Sequence, residues 1–204
     1  SIINMNKFYL FLIYLICFLE GGVLMSNELL NSKLLAVSFG SSNQSWAILL
    51  AVTLLALAAG YFIGGNFSKR YKKSTILLLI FVFLVVYQFL YLEYTSFLIH
   101  HLMSFSLIIG TLLFCFFSLA PLIFCLGLVS PLLISLLFQL QEAKNNGIIA
   151  GRVYAVSTFG GVLATFTIGL FVLPEYGMQY TNILLSFVLL ASLVILFVLK
   201  KLIL

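Results

Sequence analysis

The sequence predicts an all-α integral membrane protein whose single transmembrane domain, residues 1–204, is a bundle of six helices. Hydrophobic residues make up 64% of the chain and charged residues 7%, and the mean hydropathy is +1.26. A soluble domain is about half apolar and a quarter charged, so lipid surrounds most of this exterior. No stretch alternates apolar and polar residues like the strands of a membrane barrel, which leaves helices as the spanning elements.

Apolar stretches of the length of a membrane span divide the chain. A helix crosses the hydrocarbon core in about 20 residues, and five stretches fit that length directly: 8–27, 46–66, 74–92, 153–173 and 181–199. A sixth stretch, 97–138, is about twice as long as one span needs. It either crosses once, with helical extensions at both ends, or crosses twice with a break near Pro121.

The basic residues favour a single crossing of the sixth stretch. Lys and Arg collect in the cytoplasmic loops of membrane proteins, and the densest basic group here is Lys69, Arg70, Lys72 and Lys73. With that group inside, one crossing at 104–131 leaves only Lys33 outside, whereas two crossings would move out Lys144, Arg152, Lys200 and Lys201. We therefore predict six spans in a bacterial inner membrane, with both termini cytoplasmic.

The first apolar stretch is predicted to be a retained span. It is long, carries Glu20 and lacks the small-residue cleavage site of a secretory signal. Met5 is a candidate natural start of the chain.

Few residues in the sequence are typical of a catalytic or ligand-binding site. We find no nucleophile–base pair and no phosphate-binding loop, and we predict no catalytic, cofactor or metal site. His100 and His101 are interpreted as interfacial residues, and the three cysteines as small packing residues within spans. The net charge of +5 is spread over loops and forms no basic patch, so nucleic acid is not an expected partner.

Residues 26–45 form the most informative loop. Apolar residues recur there at helical spacing, which predicts an amphipathic outer segment that continues the first span or lies on the outer surface. Glu28 and Lys33 are candidates for an ion pair that fixes its docking. Trp46 follows, where an interfacial aromatic anchor is expected.

Small residues mark two candidate packing helices. Gly60 and Gly64 have the small-xxx-small spacing that allows two helices to approach closely. The stretch 147–177 is also rich in small residues, among them Ser157, Thr158, Gly160 and Gly161, and a helix of this composition is suited to packing against neighbours.

Glu20 is the carboxyl group well inside a predicted span. An ionisable residue at membrane depth is costly and is by default a candidate functional residue. The structural alternative is a neutral acid that forms a hydrogen bond with a neighbouring helix.

The order of these motifs resembles the N-terminal spans of the fused membrane spermidine synthase-like family. Glu28, the segment SKLLA at 32–36, Trp46 and the segment GYFIGG at 60–65 match its first half. The strongest match is GRVYAVSTFGG at 151–161, which includes Arg152 and Tyr154. Lys33 stands where the family usually has arginine, and these 204 residues contain no aminopropyltransferase domain. The resemblance implies a bundle like half of a major facilitator transporter.

Two functions compete at this point. The first is a non-catalytic membrane subunit or scaffold that packs, in lipid, against another membrane or membrane-associated protein. The second is a transporter of a small solute such as an amine, which would act as a dimer because facilitator sites lie between two repeats. Its candidate residues are Glu20, Ser157, Thr158 and Thr165.

Overall fold

The prediction of an all-α chain is confirmed. The computed structural model describes residues 2–70, 72–141 and 146–203; within these ranges 95% of the residues are helical and there is no strand. Seven α-helices follow one another: α1 Ile2–Ser38, α2 Asn43–Arg70, α3 Lys73–Leu102, α4 Leu107–Phe114, α5 Ala120–Gln141, α6 Asn146–Thr167 and α7 Leu173–Ile203. Single π-turns at Cys115–Leu119 and Ile168–Val172 join α4 to α5 and α6 to α7.

Five helical runs in the described chain are long and apolar enough to cross a membrane, as expected for a multi-pass protein. They are Lys7–Ser38, Asn43–Lys69, Lys73–Leu102, Leu107–Leu140 and Gly147–Lys201. The last run covers 55 residues, or about 80 Å if it were one straight helix. It is not straight, because Gly177 has φ 78° and ψ −176°, a conformation that suits glycine.

The long stretch 97–138 does not break at Pro121. Instead, α3 ends at Leu102, residues 103–106 turn, and the next helical run continues from Leu107 through both prolines. Proline lacks an N–H group, so the carbonyl of Phe117, four residues before Pro121, has no α-helical donor. The π-turn before it shifts the hydrogen bonds by one residue, since the Ala120 N–H donates to the Cys115 carbonyl.

Two tyrosines on α3 supply further hydrogen-bond donors to the backbone carbonyls before Pro121. The Tyr87 hydroxyl donates to the carbonyls of Phe117 (3.1 Å) and Ser118 (2.7 Å), and the Tyr94 hydroxyl to that of Phe117 (3.4 Å). An unpaired carbonyl in hydrocarbon is costly, so these donors stabilise a helix that passes through proline. The second π-turn also ends two residues before a proline, Pro174.

Two helix pairs pack backbone to backbone through glycines. Helix α1 packs mainly on α6, α2 on α5, and α3 on α7. A Cβ added to Gly21 or Gly160 would overlap the backbone of Ser157 or Phe18, respectively. In the second pair, a Cβ on Gly60 would lie 2.6 Å from the Phe124 carbonyl oxygen.

The contacts also show the relative direction of α1 and α6. Glu20 contacts Ser157, and farther along both helices Leu29 approaches Gly169. Helices α1 and α6 therefore run parallel.

The chain between α1 and α2 is short. Residues 26–38 continue α1, and a turn at 39–42, with Gly40 at φ 85°, leads into α2. Residues 26–45 are thus parts of two helices rather than a separate surface segment. At the opposite end, Lys144, one of the basic residues used above, lies outside the described residues.

Replacing Tyr87 by phenylalanine should destabilise the bundle. Each lost hydrogen bond costs about 0.5–1.5 kcal/mol, and we expect a lower thermal unfolding midpoint in detergent micelles. Tyr94→Phe, which removes only the longer 3.4 Å contact, should have the smaller effect. Equal midpoints for both variants and the unmodified protein would contradict the role given to Tyr87.

Gly160→Ala should destabilise the α1–α6 pair strongly, because its Cβ would meet the Phe18 backbone. Overpacking of this kind costs about 1–3 kcal/mol. Gly151→Ala is the matched control on the same helix, since no atom lies within 4 Å of its added Cβ. That control should be neutral or stabilising, and thermal unfolding of the two variants distinguishes them.

Candidate functional site

A groove runs between α2 and α6, with α1 and α5 behind it. Tyr61 of α2 and Tyr154 of α6 meet across it edge to face, with ring centroids 5.9 Å apart. The two rings separate two cavities, which we name by the helix behind each. Tyr61 lines both of them.

The two cavities are similar in size and differ in their walls. The α1-side cavity, about 330 Å³, is lined by residues of α1, α2 and α6: Gly21, Leu24, Met25, Leu57, Tyr61, Ser157, Thr158, Gly161, Val162, Thr165 and Phe166. The α5-side cavity, about 370 Å³, is lined by residues of α2, α5 and α6: Tyr61, Gly65, Ser68, Pro131, Ile134, Ser135, Phe138, Ile149 and Tyr154.

Glu20 lies behind the tyrosine pair, on α1, with 2% of its surface exposed. The Ser157 hydroxyl of α6 donates to its Oε2 atom over 3.1 Å, and Ser130 of α5 is a second neighbour of the carboxyl group. Tyr61 and Tyr154 are within electrostatic range of it. The carboxyl group therefore joins three helices at the floor of the groove.

The glycine contacts explain why the serine reaches this carboxyl. Gly21 lets the α6 backbone approach α1 at Ser157, which puts the hydroxyl beside the neighbouring residue, Glu20. Glu20 itself lines neither cavity, whereas Ser157 lines the α1-side cavity. A small molecule in that cavity would therefore meet the carboxyl group by way of the serine.

The other residues of α6 fall on two faces. Thr158 and Tyr154 face the groove, while Gly160 and Gly161 pack against α1. Arg152 is exposed near the start of α6. The structure thus brings Glu20 together with most of the candidate residues of 151–161.

The remaining candidates lie elsewhere. Gly60 and Gly64 pack against α5, and Trp46 is 46% exposed at the start of α2. Glu28 is half-buried beside Thr53 of α2, and Lys33 is exposed. No Glu28–Lys33 ion pair forms among the described side chains, since residues five apart point about 140° away from each other on a helix.

A buried polar network is the main feature that the sequence analysis missed. It comprises Asn27 and Asn31 of α1, Gln88 and Tyr91 of α3, Ser118 of the first π-turn and Asn182 of α7, none more than 4% exposed. The signal was available, because carboxamides are rare in apolar helices and act there as interhelical hydrogen-bond partners.

The network connects α1, α3 and α7. The Gln88 Nε2 group donates to Asn27 Oδ1 (3.1 Å) and Asn182 Oδ1 (2.9 Å), and Asn182 Nδ2 donates back to the Gln88 carbonyl (3.1 Å). The Tyr91 hydroxyl donates to Asn31 Oδ1 over 2.6 Å. These polar groups are used to hold helices together.

Metal-site geometry is not seen in the described part of the chain, where no three His, Cys, Asp or Glu residues form a group. His101 stays with its own helix, its Nδ1 atom 2.9 Å from the Phe97 carbonyl. The three cysteines are free, and Cys17 and Cys115 are buried.

Comparisons of the chain with protein-family models, curated proteins and solved structures return no match. The resemblance to the spermidine synthase-like membrane family therefore stays a prediction from the motifs.

Proposed function

We propose that the chain is a non-catalytic subunit of a membrane assembly and that its groove face packs against another membrane protein. The supporting observation is the surface of α2 and α6 beside the groove. Small residues are exposed there: Ala51 and Ala58 on α2, and Gly151, Ala155 and Thr158 on α6. Small residues allow close helix approach, and none of the described helices covers them on this face.

The interior polar groups support a structural role. The carboxamides and hydroxyls of the α1–α3–α7 network bind one another, so few are free to hold a substrate. Among the described buried side chains, only Tyr14 Oη, Gln88 Oε1 and Thr111 Oγ1 lack a hydrogen-bond partner. These three atoms belong to different helices and form no catalytic set.

For the topology, we propose six spans with both termini cytoplasmic, in a bacterial inner membrane. The bend at Gly177 would divide the 55-residue run into the fifth and sixth spans. The first and fifth spans of a six-span chain run in the same direction, as α1 and α6 do. This six-span topology is also the one that a resemblance to half of a facilitator transporter implies.

Photo-crosslinking tests the docking face. A photoreactive residue at Ala58, beside the groove, should yield a protein adduct of defined mass in native membranes. The same residue at Val82, exposed on α3, should yield only lipid adducts. Lipid adducts alone at both positions, with a monomer in mild detergent, would refute the subunit role.

A bulky substitution on the docking face measures how much this face contributes to association with the partner. Ala58→Trp should weaken association with the partner by about 1–3 kcal/mol through overpacking, which is about a 5- to 150-fold loss of affinity. Val82→Trp is the control and should leave association unchanged, as measured by co-purification over a dilution series.

A solute carrier, acting as a dimer, is the second candidate because Glu20 accepts a hydrogen bond from Ser157, which lines a cavity of about 330 Å³. If this function holds, Glu20→Gln should abolish the uptake of a radiolabelled diamine into vesicles, since the charge that would attract an ammonium group is lost. Glu28→Gln, which lies outside the groove lining, should transport normally. Unchanged flux in Glu20→Gln would exclude Glu20 from such a mechanism.

A further inference from the structure

We propose that the α5-side cavity is a binding site for one anionic phospholipid, with its phosphate group at the basic end of the bundle. This inference goes beyond the subunit function and does not depend on it. It rests on the walls of the cavity, on the position of a lysine ammonium group and on the distribution of charge along the bundle.

The cavity walls match an amphiphile. Its wall is partly apolar, with Pro131, Ile134 and Ile149, and two serines, Ser68 and Ser135, line it as well. Its volume of about 370 Å³ falls within the usual range for small-molecule pockets, about 300–1,000 Å³.

A lysine ammonium group contacts the backbone of one lining residue. The Lys73 ammonium group donates to the carbonyl of Ser135 over 3.4 Å, and Ser135 lines the cavity. Lys73 is half-buried, so its charge lies partly out of water, where attraction to a phosphate is stronger. One backbone carbonyl does not neutralise this ammonium group, which has two further protons to donate.

Further basic residues follow the lining residues closely in the chain. Lys69 is next to Ser68, and Arg152 lies one turn of α6 beyond Ile149; both are exposed, as is Lys72. Of the described glutamates, Glu20 is buried behind the two tyrosines that line the cavity and does not line it, whereas Glu28, Glu93 and Glu175 are on the far halves of their spans or beyond. Glu142 and Lys144 lie outside the described residues and carry opposite charges.

The cavity opens between α2, α5 and α6, and its apolar wall close to basic residues favours a lipid as the occupant. Phe138 and Tyr154 line the cavity and are each 40% exposed, as aromatic residues are where membrane meets water. Basic pockets between transmembrane helices on the cytoplasmic side are known to hold anionic headgroups. The charge and the apolar wall together fit phosphatidylglycerol better than a zwitterionic lipid.

The test is electron paramagnetic resonance of spin-labelled lipids with the full chain in phosphatidylcholine vesicles. We expect a motionally restricted fraction that prefers labelled phosphatidylglycerol over labelled phosphatidylcholine. Lys73→Gln should reduce this preference about fivefold, the equivalent of about 1 kcal/mol per basic residue. Lys33→Gln removes the same charge at the other end and should leave the preference unchanged.

A second pair of variants, one that fills the cavity and one matched control outside it, tests whether the lipid binds in the cavity. Gly65 lines the cavity and Gly151 does not, and in both an added Cβ meets no atom within 4 Å. Gly65→Phe should abolish the preference by filling the space, while Gly151→Phe should retain it. Circular dichroism checks that both variants remain folded.

Three results would overturn the proposal. One is an equal loss of preference in Lys73→Gln and Lys33→Gln, which would indicate general surface charge. Another is an undiminished preference in Gly65→Phe. The third is displacement of the labelled lipid by millimolar glycerol phosphate, which would identify a soluble phosphate as the ligand. A missing cross-link at Ala58 would refute the subunit function alone.

Discussion

The direct contact of helix backbones at glycines is the constraint on which the rest of the structure depends. In lipid there is no hydrophobic force between helices, so close packing and interhelical hydrogen bonds must hold a bundle together. Gly21 and Gly160 bring α1 against α6, and Gly60 brings α2 against α5. Because each pair is tight within itself, the open space is left between them, and this space is the groove. The same close approach brings Ser157 to the Glu20 carboxyl group.

The need to satisfy hydrogen-bonding groups in the absence of water explains a second set of contacts between the helices. Each proline removes a donor from a helix that has no solvent to replace it. Tyr87 supplies that donor near Pro121 from another helix, and a π-turn adjusts the backbone. The Gln88 carboxamide uses both its protons to join α1 to α7. The carboxamides of this interior thus act as interhelical ties, whereas several of its buried hydroxyls donate to carbonyls of their own helix.

Sequence reasoning could reach the features that depend on local composition. Apolar length predicts the helices, and glycine spacing marks Gly60 and Gly64, which do pack against α5. It could not decide whether a helix passes through Pro121, because the replacing hydroxyl is some thirty residues away in the chain. The buried carboxamides can be picked out from the sequence, but their partners and the two cavities cannot, since both depend on which helices become neighbours. The predicted Glu28–Lys33 ion pair was wrong, because residues five apart lie on different faces of a helix.

The most direct test of the glycine contact between α1 and α6 is a disulfide across it. Met25 and Gly161 are suited to this, because a Cβ on Gly161 would lie 3.7 Å from the Met25 Cβ, within the usual range for disulfides. In a background with the native cysteines replaced by alanine, Met25→Cys with Gly161→Cys should oxidise readily in membranes, as seen by the mobility of a chain that is cleaved between α1 and α6. Met25→Cys with Leu163→Cys, which is 41% exposed and lines neither cavity, should not. Absence of a cross-link in the first pair, or equal cross-linking in both, would contradict the packing on which the groove and its proposed uses depend.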